Sequence, residues 1–560
     1  MHRVIPPIGI ESFRELREKS CYYIDKTHFI EEILEDSFKV LLFTRPRRFG
    51  KTLTMSTLAD FLDIRMDSRK LFAGLQVSKN DSLCMQWMNQ RPVLFMTLKN
   101  INGLDFANAY GVFRTMISDL CIAHAYLAES SMADRNDREV FKRLKRCDGT
   151  EIETRESLYT ILRMMKMHYG KPVVLIMDEY DVPLANANEN GYYLHMLDLI
   201  RSFTGKALKT NEFLDFAVIT GCLRIAKESI FTGTNNFISN SVSQTEYSDC
   251  FGFTEAEVWK MLQDAGLEEH ADSVKSWYNG YRFGKSHMYC PWDVLNYVRA
   301  LQNDPSAKPE NYWRNTSHNG IIRSFIERTD LAVHDKIERL LSGECIQEQI
   351  LEDMTYDTLH SSETNLWSVL YLTGYLTQAE SETGMRYLKI PNEEIKTIFA
   401  DTIASWFEDV VGRMDRRPLF DALWSGNDKE ATRLITDILF DTISYFDYRE
   451  DYYHAFLAGL FAGAGYMVES NREYGLGRPD LVVRDRRNRR IIMIESKYSR
   501  SENQMLHDCE TAMRQINIRQ YAHQFLNGYQ QIFCYGIAFY GKQCLVKNIQ
   551  MDEIVQQAKL

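Results

Sequence analysis

The chain has 560 residues, 45% of them hydrophobic and 26% charged, with a formal net charge of −11. That length exceeds what one core supports, so at least two domains are expected, and the acidic balance argues against a surface coated for indiscriminate nucleic-acid binding. No apolar run approaches the ~20 residues of a membrane-spanning helix. Pro6 and Pro7 interrupt the N-terminus before any signal-peptide core, and 11 cysteines without a CxxC pair fit reduced thiols, so a cytoplasmic protein with no membrane partner is expected.

Residues 1–245 alternate strand-like and helical segments, the pattern of an α/β sheet covered by helices on both faces. A β-prone run at 38–44 leads into a helical pattern from Gly50 to Leu62. Further strands are expected at 92–98, 172–178 and 213–220, with a helix over 155–169. Residues 246–440 read as a mainly helical middle region rich in aromatics. From 441 to 560 the pattern changes again: a helix over 452–461, three strands ending at Lys497, a helix over 503–525 and a last strand at 531–539. This αβββαβ order suffices for a small separate domain. Residues 451–560 carry 14 Lys and Arg against 11 Asp and Glu, a slightly basic tail on an acidic body.

Between the first strand and its helix lies Arg45-Pro-Arg-Arg-Phe-Gly-Lys-Thr52. A phosphate-binding loop needs inward-turned N–H groups, a helix N-terminus behind them, a lysine for the β- and γ-phosphates and a hydroxyl for Mg²⁺. Gly50, Lys51 and Thr52 supply the end of that pattern in the required strand-loop-helix setting, and Arg47, Arg48 and Phe49 complete the candidate nucleotide contacts. Arg45 stands where the first glycine of GxxxxGK[ST] belongs, which disfavours a positive φ at the loop's start. A basic surface turn is the competing reading of the tripeptide alone.

A second element shifts the balance. Asp178-Glu179 ends the apolar run 173–177. An acidic pair at that point suits an Asp that holds Mg²⁺ and a Glu that polarises the attacking water. The strand ending at Thr220 offers that hydroxyl as a γ-phosphate sensor. Arg224 is either a sensor cation or the partner of a helix end.

Taken together, Tyr22-Tyr-Ile-Asp-Lys-Thr27, the loop 45–52, Asp178-Glu-Tyr-Asp181 and the stretch Thr220–Phe231 resemble the bacterial AAA-ATPase-like family. The likeness continues through Trp277–Gly284, Pro291-Trp292 and Tyr312–Thr316. It implies an N-terminal P-loop NTPase of AAA-like type with ATP as its nucleotide, whose loop commonly reads RPRRFGKT, so the missing glycine is shared with the family.

Near the C-terminus, Asp480 begins one strand and Glu495-Ser-Lys497 ends the next. Residues two apart share a strand face, so Glu495 and Lys497 point the same way, and strand pairing brings Asp480 towards Glu495. Two carboxylates and a lysine suit Mg²⁺-dependent phosphodiester hydrolysis. Glu473 or Glu469 is a further candidate ligand or base. With Tyr453–Leu457, Ser470–Asp480, Gln515-Ile516 and Tyr521, this segment resembles a PD-(D/E)XK nuclease-like domain. That resemblance implies Asp480, Glu495 and Lys497 as the catalytic trio, Asp480 and Glu495 as metal ligands, and Gln515 as the helix residue facing them. Ser496, in place of an apolar residue, is expected to face away from the site.

Arg484, Arg486, Arg487, Arg489 and Arg490 either clamp nucleic-acid phosphates or form a solvated hairpin tip. Trp277, Tyr278, Tyr281, Trp292 and Trp313 either stack bases or build the middle core, with the core preferred. His454 reads as a packed histidine, and the scattered His and Cys residues show no zinc spacing. The functional expectation is an ATP-binding and hydrolysing protein whose nuclease-like domain acts on nucleic acid, DNA in the first instance, with homo-oligomers allowed. The alternative is a nucleotide-switched sensor or scaffold whose degenerate nuclease-like domain only binds.

Overall fold

The computed structural model describes residues 4–224, 237–313, 331–353, 356, 362–379, 386–413, 415–442, 456–457, 460–461, 466–470, 479–518, 525 and 528–549. Packing divides the chain into two compact units, Met1–Ile321 with Cys345–Ile398, and Ile322–Glu344 with Phe399–Leu560. Among the described residues no helix is long and apolar enough to cross a membrane.

The first unit is built on a parallel sheet of five strands: β1 (Val40–Thr44), β2 (Val93–Thr97), β3 (Val173–Asp178), β4 (Leu214–Gly221) and β5 (Phe237–Asn240). Their order is β2-β3-β4-β1-β5. Alternate β1 residues serve opposite cores. Val40 and Leu42 pack with the helices Phe106–Ala123, Ser157–Tyr169 and Tyr193–Leu208, while Leu41 and Phe43 pack with Met55, Leu58 and Phe61 of the helix Lys51–Leu62. Burial on both faces is why these strands are continuous apolar runs and were legible as such. The four-residue β5, with exposed and polar positions, carries no such signal.

Register places the site. Phe43 pairs with Thr220 and Thr44 with Gly221, and on the other side of β4 Met177 pairs with Ile219. The C-terminal ends of β1, β4 and β3 therefore lie side by side, the edge at which parallel α/β sheets bind ligands.

The middle segment holds helices such as Glu255–Ala265, Pro291–Asn303 and Glu363–Thr373, as expected, together with two small antiparallel sheets that its sequence did not announce. One joins β6 (Phe253–Thr254), β7 (Tyr281–Phe283) and β8 (Ser286–Tyr289); the other joins β9 (Ile346–Gln347), β10 (Thr377–Gln378) and β11 (Tyr387–Lys389). Strands of two to four residues are too short to establish a period of two. Tyr278, Tyr281 and Trp313 are fully buried, so these aromatics are core.

The second unit carries the sheet β12-β13-β14-β15-β16. Its strands are β12 (Met467–Ser470), β13 (Leu481–Asp485), β14 (Arg490–Tyr498), β15 (Gln531–Tyr540) and β16 (Gln543–Ile549). β14 and β15 are parallel, joined through the helix Met505–Ile518, and the remaining pairs are antiparallel. β15 is thus not the last strand: Tyr540 pairs with Gln543 across a two-residue turn, where Gly541 at φ 54° returns the chain as β16. The helices Arg417–Trp424 and Asp428–Thr442 cover one face with Leu423 and Ile435. On the other face, Ile516 of Met505–Ile518 packs on Ile491 and Met493.

Candidate functional site

The loop after β1 owes its shape to a residue that the glycine pattern treats as a defect. Arg45 is fully buried and keeps an ordinary negative φ; the left-handed positions are Arg48 (φ 71°) and Gly50 (φ 81°). Its guanidinium donates to the carbonyls of Thr44 (3.0 Å), Asn240 (2.9 Å) and Tyr247 (3.2 Å) and to Asn240 Oδ1 (2.7 Å). The ring of Phe251 lies 5.2 Å from it. Burial lowers its pKa to about 10, still protonated at neutral pH. Arg45 therefore anchors the loop, and Arg48 is the non-glycine residue that takes the left-handed conformation. Left-handed residues at alternate positions turn N–H groups towards a common point, a nest for anions. The helix Lys51–Leu62 begins there with no side chain capping its N-terminus, so its first N–H groups are available to a phosphate.

Three expected residues meet at one carboxylate. Asp178, fully buried, accepts from Thr52 Oγ1 at 2.7 Å and from Thr220 Oγ1. The intervening strand β4 is what brings the Thr220 hydroxyl between the loop and the acidic strand end. Lys51, also buried, donates to the carbonyls of Arg45 (3.0 Å) and Pro46 (2.9 Å). Glu179 sits at φ 52°, a conformation that non-glycine residues rarely adopt and that clusters at functional sites. Burial raises its pKa above the ordinary glutamate value, opposed by the Lys51 ammonium.

A cavity of about 500 Å³ opens over this loop, lined by Arg47, Arg48, Phe49, Gly50, Lys51 and Thr52 and by Glu179. The cavity is also lined by Tyr22, Ile24, Trp292 and Leu295; Trp292 was expected as core or as a base-stacking aromatic, and the other three had no role assigned from sequence. Arg48 stacks 4.3 Å over Trp292 and donates to the Tyr312 carbonyl at 3.1 Å. Tyr22 and Trp292 fall within segments that carried the family likeness, which was the available signal. Arg224 pairs with Asp353, which stands outside any helix, at 2.6 Å.

In the second unit the trio assembles at the end of β14. Asp480 stands just before β13, and the pairing of Leu481 with Ile494 sets it opposite Glu495. Glu495 is buried; Oε1 accepts from Lys497 Nζ at 3.4 Å, while Oε2 has no hydrogen-bond partner among the described residues. Burial first, and then the Asp480 charge, push its pKa up to about 7. A buried carboxylate oxygen without a donor, beside a second carboxylate, is the environment a hard divalent cation satisfies. Asp480 and Glu495 thus fit a metal.

Ser496 corrects an expectation. It does not turn away from the site: its hydroxyl and its amide both donate to Asp480 Oδ2, at 2.8 and 2.7 Å. The strand end lets the Asp480 carboxylate reach across to it. The basic hairpin is corrected in part. Arg484 pairs with Glu469 (2.9 Å) and Arg490 with Asp485 (2.8 Å), so these two arginines and Glu469 hold the sheet together, whereas Arg486, Arg487 and Arg489 are exposed. Gln515 is half-buried on Met505–Ile518, the helix that covers the Met493 face of the sheet, which Glu495 shares by alternation. Glu473, His454 and Tyr521 lie outside the described residues.

The first unit is thus of the P-loop nucleotide-binding class, and the second has the sheet and acidic-lysine cluster of a nuclease-like domain. Comparison with known proteins agrees. Residues 7–231 match the family model described as predicted AAA-ATPase, and residues 448–549 match that of the PD-(D/E)XK nuclease superfamily. The chain joins a AAA-ATPase-like domain to a PD-(D/E)XK nuclease superfamily domain. It is also similar to the "uncharacterized protein in vnfD 5'region" of Azotobacter chroococcum mcd 1. The two are 26% identical over 556 residues, covering 96% of this chain and 97% of the relative.

Proposed function

We propose that this protein binds and hydrolyses ATP in the cavity over residues 45–52, and that its C-terminal domain cleaves nucleic acid, DNA in the first instance, under control of the nucleotide. The observation that supports the nucleotide half is the shared carboxylate: Asp178 is held by Thr52 and Thr220 together. Lys51 exchanges the carbonyls of Arg45 and Pro46 for the β- and γ-phosphates, the loop N–H groups receive the phosphate oxygens, and Glu179 orients the attacking water. Thr52 and Asp178 would hold Mg²⁺, which neutralises developing phosphate charge when bound. The side chains of Tyr22, Ile24 and Leu295 offer the base an apolar wall.

The nuclease half rests on the unpartnered Oε2 of Glu495 beside Asp480 and Lys497. Asp480 and Glu495 would hold Mg²⁺, which supplies electrophilic activation of the scissile phosphate when bound. Lys497 holds its ammonium near that phosphate and stabilises added negative charge, and exposed Arg486, Arg487 and Arg489 offer contacts to flanking phosphates.

Incubation of the full chain with single- and double-stranded DNA and RNA, with Mg²⁺ or Mn²⁺ and with or without ATP, tests this reading. Cleavage that vanishes in Lys497→Ala, and whose ATP dependence vanishes in Lys51→Ala, is the expected result. Absence of cleavage on every substrate overturns the nuclease half and leaves a nucleotide-switched binding protein. ATP binding retained in Lys51→Ala overturns the nucleotide half.

A further inference from the structure

A second constellation lies in the first unit, apart from the phosphate loop. His28 and Glu32 stand four residues apart on the helix His28–Glu35, hence on one face. Opposite them, from a loop more than 200 residues later in the chain, come Asp249 and Cys250. One ligand-capable atom from each of the four residues lies within 4.8 Å of the others. Cys250 Sγ is 3.6 Å from His28 Nε2 and 3.8 Å from Glu32 Oε2, and His28 Nε2 is 3.7 Å from Asp249 Oδ1.

The three contacts just given lie within a few tenths of an ångström of the edges of a coordination tetrahedron, and the remaining pairs lie within 4.8 Å. Zinc bonds of about 2.3 Å to sulfur and about 2.0–2.1 Å to nitrogen or oxygen place neighbouring ligand atoms roughly 3.4–3.6 Å apart. Without a metal, the two sulfur contacts are ordinary weak thiol hydrogen bonds and His28 faces Asp249 as an ion pair, so the four groups are already gathered around one point. The nearest cation does not fill the space. Lys26 Nζ is held by the Asp249 carbonyl and Glu257 Oε2, both at 2.7 Å. Cys250 is buried, whereas Asp249 is half-exposed, so the group is dry at its sulfur end and open to solvent at its carboxylate end.

We infer that His28, Glu32, Asp249 and Cys250 form a Zn²⁺ site that clamps the N-terminal helix His28–Glu35 to the loop carrying Cys250. A borderline-soft cation is the one that accepts a mixed nitrogen, sulfur and oxygen donor set, which Mg²⁺ does not. Binding releases the thiol proton of Cys250 to solvent and leaves the thiolate as ligand. The clamp has a structural consequence. Cys250 lines the nucleotide cavity, and two residues on Gly252 donates its N–H to the Phe49 carbonyl of the phosphate loop at 3.0 Å. The metal would thus steady one wall of that cavity without touching the nucleotide.

The test is a Co²⁺ titration of the chelator-stripped full-length chain, followed by displacement with Zn²⁺. One equivalent per chain, with intense visible bands of tetrahedral cobalt and a thiolate-to-cobalt charge-transfer band, is expected, and Zn²⁺ should erase both. The all-oxygen ligands at Asp480 and Glu495 give neither signal, so the two sites are read separately. Cys250→Ser should abolish the charge-transfer band, and His28→Gln, at a partly exposed position, should abolish the intense tetrahedral cobalt bands. Wild-type protein without the charge-transfer band overturns the site. So does a His28→Gln variant that binds as tightly as wild type.

Discussion

Arg45 donates to the side-chain carbonyl of Asn240 at 2.7 Å, binding the start of the phosphate loop to the end of β5 across 195 residues of sequence. The arginine in the glycine position is therefore a structural anchor. Arg45→Gly, which restores the general phosphate-loop pattern, should weaken the fold: it leaves a cavity and deprives Asn240, Thr44 and Tyr247 of their donor. A loss on the order of 3 kcal/mol is expected, read by chemical denaturation, with nucleotide affinity falling as well. A more stable variant would contradict the anchoring role.

Glu179 is strained, cavity-lining and raised in pKa by burial. Glu179→Gln keeps the shape and removes the carboxylate proposed to orient the attacking water. Hydrolysis should fall by about 10²–10⁴-fold while nucleotide binding is unchanged. Steady-state phosphate release and equilibrium binding, measured on the same preparation, check the two halves.

Ser496 supplies two of the hydrogen bonds that orient Asp480. Ser496→Ala removes the hydroxyl and keeps the amide, so the carboxylate loses part of its support. Divalent-metal affinity, measured calorimetrically, should drop by about 10–100-fold, the usual cost of losing an outer hydrogen bond to a metal ligand. Ser496→Thr should retain most of it.

Burial, and then the Asp480 charge, push the Glu495 carboxyl from its ordinary 4.5 up to about 7. Its folded pKa lies above its unfolded value, so the unfolded chain releases this proton first as pH rises. Metal-free protein should lose stability between about pH 4.5 and 7, on the order of 3 kcal/mol, with no further loss from this group above that range. Glu495→Gln should flatten the profile and stabilise the second unit at neutral pH, as judged by hydrogen-exchange protection of β14. A wild-type profile flat over this window would refute the assignment.

Strong local signals were legible in the sequence. Apolar runs buried on both faces gave β1 to β4, and Gly50-Lys51-Thr52 and Asp178-Glu179 stood out because strand-loop-helix context is local. The same held for Glu495 and Lys497, which share a face by alternation alone. Short edge and hairpin strands such as β5 and β16 escaped because four to seven residues of mixed polarity fit a loop equally well.

What the sequence by itself determined was the AAA-ATPase-like and nuclease-like segments and the residue types of the phosphate loop and of the acidic-lysine cluster. The tertiary structure decided how those residues are satisfied: that Arg45 finds its partners on β5 and in the Tyr247 segment, that Ser496 turns towards Asp480, and that His28 and Glu32 meet Asp249 and Cys250. The reason is physical. Each of these relations depends on which distant backbone a side chain reaches once the sheet has fixed its register, and no local pattern records that distance.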